Sequence, residues 1–175
     1  MVNKYPDFVT GEGGNLASSQ LRPVSEKEKV DIWFIDPLMK MEKDQGLICL
    51  MILFPLLETI IRFELEIPEE QDAVFSEGSK ELEWFAEFMT IRQDSAREVW
   101  DAFRNGLSHR AMIKGTIDYT LTGNDSERPA EEKEDGQLVV HVWTLRKKVV
   151  DKLKEHHRKL WSGEIHKFPK IHVQS

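Results

Sequence analysis

The chain has 175 residues, 40% of them hydrophobic and 31% charged, with a formal net charge of −7. That balance fits a single globular domain with a core of ordinary size, neither disordered nor membrane-like. The single cysteine excludes an intramolecular disulfide; Cys49, between Ile48 and Leu50, reads as a buried thiol in a reducing, cytoplasmic setting.

Residues 1–24 read as a loose N-terminal arm. They include Gly11, Gly13 and Gly14, with neither the apolar stretch nor the basic start of a secretory signal. One domain is expected over 25–165, followed by a tail at 166–175. Ser25 with Glu28 three residues later is a capping-box signature. The helix it opens carries Val30, Trp33 and Phe34 and runs into Pro37, so Asp36 is expected to cap a second helix there. A further helix is expected over 46–66, apolar nearly all round and so central, with Pro55 as a possible kink. Its longest apolar run, residues 47–57, falls short of the roughly 20 residues that cross a bilayer, so no membrane association is expected.

Residues 67–78 read as a connection. Ser79 then caps a helix in which Leu82, Phe85 and Met89 keep helical spacing. Ala96, Val99, Trp100, Phe103 and Leu107 form the stripe of a helix over about 94–108. Residues 117–121 alternate apolar and polar and predict a strand, with 137–143 as its partner and an acidic loop over 123–136 closing a long hairpin. Leu145, Val149, Leu153, His156 and Leu160 make the stripe of a last helix over about 144–161. The expected fold class is mainly α, a helical bundle of about five helices with one inserted β-hairpin at about 112–143.

Charge is uneven. Residues 141–172 hold nine Lys/Arg against three acids, +6, which leaves −13 elsewhere. Such a face suits a phosphate backbone, or it is a solvated helix surface. His156 and His157 are adjacent and point different ways on a helix, so His156 is expected to be a packed core histidine rather than a metal ligand. No cofactor is expected. Cys49 has no neighbouring base in sequence to activate it.

Two charged residues stand on apolar stripes. Arg104 follows Trp100 by four and precedes Leu107 by three; Glu58 follows Phe54 by four and precedes Ile61 by three. Each needs a partner of opposite charge, and the two are expected to pair across the bundle. His109 lies five residues after Arg104, about 140° round an unbroken helix. Loosening at Gly106, or a symmetric dimer, would bring an imidazole and a guanidinium around one phosphate. Asn105 and Ser108 would bond the phosphate or orient the imidazole.

The segment Arg104-Asn105-Gly106-Leu107-Ser108-His109, with Arg110 next, resembles the signature of the HEPN superfamily, an arginine with a polar residue beside it and a histidine after four to six intervening residues. The resemblance implies a helical bundle and, for many members, a metal-independent endoribonuclease of toxin–antitoxin, defence or RNA-processing systems. There Arg104 and His109 would act at an RNA phosphate in a homodimer interface, with Asn105 assisting and Glu58 positioning Arg104. The alternative is a catalytically silent HEPN-like module that binds RNA or a protein partner; a nuclease of the toxin type would have a neutralising protein partner. The hairpin after His109 departs from the simplest pattern of the family.

Overall fold

The computed structural model describes residues 26–68, 70–105, 118–120 and 126–164. Ser25, the arm, the tail and the segment 106–117 lie outside the described residues. Five helices and three short strands make up the described fold.

The first helix, α1 (26–40), is continuous where two helices were expected. Glu26–Val30 and Asp36–Lys40 are α-helical, and Asp31–Ile35 between them is one π-helical turn in which the Asp36 N–H donates to the Asp31 carbonyl five residues back. Pro37 lacks an N–H and its ring crowds the carbonyl four residues earlier; the wider turn is a known way to accommodate that clash. Asp36 therefore lies inside the helix, and the N-cap position before it is Ile35, which has no side-chain capping bond.

A 3-10 turn at Lys43–Gln45 leads into α2, Gly46–Glu64. The apolar stretch Lys43–Glu64 exceeds the 47–57 run read from sequence and is long and apolar enough, by length and composition, to cross a membrane. Here the bundle buries one side of it, with Cys49, Leu50, Leu53, Phe54, Leu57, Ile60 and Ile61 at no more than 1% exposure. Leu47, Ile48 and Met51 stay exposed on the other side. Pro55 is accepted within the helix, and Thr59 Oγ1 donates to the Pro55 carbonyl at 3.0 Å.

Helix α3 is Lys80–Met89, capped as expected by Ser79, whose hydroxyl accepts from the Leu82 N–H at 3.2 Å. Gln93–Trp100 is α-helical and continues as a second π turn at Asp101–Asn105; together they form α4 (93–105). The last helix, α5, is Val142–Ser162, and it packs most extensively against α2. Its stripe Leu145, Val149, Leu153 and His156 is buried as expected.

The first strand finds the partner expected of it, but in the opposite direction. β1 (Asp118–Thr120), β2 (Ala130–Glu132) and β3 (Leu138–His141) form one sheet in the order β1-β3-β2. β1 pairs with β3 in parallel, not as the other arm of a hairpin. The hairpin is β2 with β3, antiparallel, inside the segment expected to be loop. Lys133 N–H donates to the Gln137 carbonyl, and Gly136 N–H to the Lys133 carbonyl, with Gly136 at φ 82°. That is a three-residue hairpin loop whose positive-φ position calls for glycine.

Helices α2 and α3 both end with the C-terminal pattern in which a left-handed residue closes the last turn. Glu66 and Ile67 donate back to Phe63 and Arg62, and Thr90 and Ile91 to Glu87 and Ala86. Thr90 sits at φ 64°, ψ 40°, a conformation costly for a β-branched side chain. Thr90→Gly is therefore expected to raise stability by about 0.5–1 kcal/mol, the relief of strain exceeding the added freedom of the unfolded chain. A lowered urea midpoint would contradict this.

Candidate functional site

Phe103 is fully buried and stacks on Phe54, with centroids 5.2 Å apart and planes 15° from parallel. Phe85 and Trp100 flank Phe54 at 6.1 and 6.0 Å. This aromatic cluster fixes α4 against α2, and it places the next residue on one helix, Arg104, opposite the residue one turn beyond Phe54 on the other, Glu58. Arg104 Nε donates to Glu58 Oε2 at 2.6 Å. Both side chains are 25% exposed, so the pair is neither sealed in the core nor freely solvated.

The pair expected from the sequence is thus formed, and its arginine lies on the second π turn. π turns are rare and often mark functional sites. Because the bond to Glu58 runs through Nε, the Nη1–Nη2 edge of the guanidinium stands apart from it, and that edge can hold a phosphate bidentately. The backbone of Asn105 closes the π turn. Its side chain, and Ser108 and His109 altogether, lie outside the described residues.

Three further polar clusters escaped the sequence reading. His156, 0% exposed, has Nε2 2.8 Å from Glu64 Oε1, and Lys152 Nζ donates to the same oxygen at 3.2 Å. Burial works to raise the Glu64 carboxyl; the hydrogen bonds and charges of His156 and Lys152 outweigh it and hold the group below the usual carboxylate range. His156 also packs on Phe63 with its Nδ1 buried and unpartnered, which fits a packing role. Arg92 clamps Glu132 through Nε and Nη2, and Ser95 donates to the same carboxylate at 2.6 Å, tying α4 to β2. Finally, α5 closes the ends of other helices with cations: Arg146 donates to the Leu38 and Met41 carbonyls, and Lys148 to the Phe88 carbonyl. The partners in all three are tens of residues apart in sequence, and no local spacing announces them.

Cys49 is fully buried, and burial pushes its thiol up to about 11, so it is un-ionised at neutral pH and a poor nucleophile. Among the described residues, no three His, Cys, Asp or Glu side chains gather where they could hold a metal ion. An open groove of about 810 Å³ lies between the end of α3, the start of α4 and β2, and includes Glu87, Thr90, Arg92, Arg128 and Glu131; it does not reach Arg104 or Glu58.

No family model matches the chain, and no curated protein or solved structure matches it.

Proposed function

We propose that this chain is a HEPN-like, metal-independent endoribonuclease in which Arg104 holds an RNA phosphate and His109 moves the protons. The observation that carries the reading is the 2.6 Å hydrogen bond that Arg104 Nε, on a π turn, donates to Glu58, which orients the guanidinium without occupying its terminal edge.

The chemistry needs little else, because RNA carries its own nucleophile. His109 takes the proton of the 2′-hydroxyl as that oxygen attacks phosphorus. Arg104 stabilises the charge that grows on the phosphoryl oxygens, and the P–O5′ bond breaks as the 5′-oxygen takes up the proton that His109 returns. The products are a 2′,3′-cyclic phosphate and a 5′-hydroxyl. Asn105 and Ser108 would hold the phosphate or the imidazole, and a second copy of the chain would bring two such sets together.

One observation favours the second reading, a silent binding module: Glu58 already neutralises Arg104, on a chain of net charge −7. Such a module would bind RNA or a protein partner without cleaving it. The test is incubation of single-stranded RNA with the purified chain in EDTA. Cleavage of RNA, with DNA left intact, and its loss in a folded His109→Ala protein, is the expected result. RNA left intact by the wild-type chain across varied substrates would leave the binding module.

A further inference from the structure

The outward side of α5 repeats a chemistry unrelated to Arg104. Trp143, Lys147, Asp151, Lys154, Arg158 and Trp161 follow one another at intervals of four or three residues and so form one stripe, about 27 Å long at the helical rise. All but Trp143, which is half-buried, are exposed, and Trp161 is 56% exposed with its indole N–H donating to His157 Nε2 at 2.6 Å.

The charge along this helix is only partly cancelled. Glu155, beside it, is held by Lys152 at 3.3 Å and Lys159 at 2.7 Å. Arg146 and Lys148 spend their hydrogen bonds on carbonyl oxygens, which leaves their positive charge in place. Arg158 shares its charge with Glu164 at 3.1 Å. Among the described residues, Lys147 and Lys154 have no ion-pair partner. Asp151 is the one acid on the stripe itself.

We infer that this stripe is a docking ridge for single-stranded RNA, whose phosphates lie along Lys147, Lys154 and Arg158 and one of whose bases stacks on Trp161. Cations at helical intervals with an exposed aromatic at the end match a polymer that offers charge and unpaired π faces together. A duplex keeps its bases stacked and would leave the tryptophan unused. The choice of RNA rests on the ribonuclease reading; the ridge does not depend on Arg104 or His109.

The test is fluorescence anisotropy with a dye-labelled oligouridylate of about 12 nucleotides, using the full chain carrying His109→Ala so that the probe survives. Three neutralised phosphates predict a log–log salt slope of about −2. Lys147→Glu with Lys154→Glu should weaken binding about tenfold or more and flatten the slope by about 1.4. Trp161→Ala should weaken it about fivefold or more without changing the slope. These positions are exposed, and circular dichroism checks that each variant is folded. Unchanged affinity in the variants, or binding to phosphatidylserine vesicles with none to the oligonucleotide, overturns the ridge. RNA cleaved normally by ridge variants that bind normally sinks the ridge alone; ridge-dependent binding by a wild-type chain that never cleaves sinks the ribonuclease alone.

Discussion

Phe54→Ala is expected to cost about 3–5 kcal/mol. Phe54 is fully buried and touches the rings of Phe85, Trp100 and Phe103, so truncation opens a cavity lined by side chains from three helices that cannot all collapse into it. The loss reaches the candidate site, because the Phe54–Phe103 stack sets the distance between the helices that carry Glu58 and Arg104. Ile48→Ala is the matched control: same helix, 53% exposed, and expected to change stability by no more than about 0.5 kcal/mol. Urea unfolding of the two variants checks the contrast. Similar midpoints would mean that the aromatic cluster does not organise the bundle.

Arg104→Ala is expected to lower RNA cleavage by about 100-fold or more, the usual consequence of removing a donor aimed at developing charge. Arg104→Lys should not restore it, since an ammonium keeps the charge and loses the planar fork that lets one edge meet Glu58 while another meets phosphate. In stability, Glu58→Ala and Arg104→Ala should be coupled by about 1–3 kcal/mol in a double-mutant cycle. That is less than a sealed ion pair would give, because a quarter of each side chain meets water. Glu58→Gln, which can still accept from Nε, should retain more activity than Glu58→Ala. Additive single losses in the cycle would show that the pair contributes nothing beyond its members.

The pair itself is legible in the sequence. Glu58 and Arg104 each stand on an apolar stripe, and a charge so placed demands a partner. The same logic found Ser79 as a cap and His156 as a core residue, since both follow from local spacing and burial. The two π turns were not legible as such. One extra residue in a turn shifts the helical phase without altering composition, and only Pro37 gave a cue for the first; nothing comparable precedes Asp101–Asn105.

The strands show a different failure. Residues 118–120 and 138–141 are strands and pair with each other as expected, but in parallel rather than as the two arms of a hairpin. Asp135-Gly136, flanked by Glu131, Glu132 and by Leu138, Val139, was a hairpin signal lying in plain view. It was masked by the acidic character of residues 123–136, which reads as loop. Acidic residues are tolerated on β2 because Arg92 and Ser95 bind Glu132, and that partnership spans forty positions of chain.

The basic C-terminal segment resolved into two kinds of cation. Arg146 and Lys148 turn inward to close other helices, while Lys147 and Lys154 remain outside. Sequence periodicity places residues on faces, yet which face carries a carbonyl-rich helix end depends on tertiary packing.

The central claim is that the chain cleaves RNA through the 2′-hydroxyl with an arginine and a histidine. The most direct measurement is mass spectrometry of the fragments formed from a single-stranded RNA in EDTA. The account predicts 2′,3′-cyclic phosphate and 5′-hydroxyl ends, absent when the nucleotide at the cleavage point is 2′-deoxy and absent with His109→Ala. Fragments with 5′-phosphate ends, or the same fragments from the folded His109→Ala protein, would contradict it.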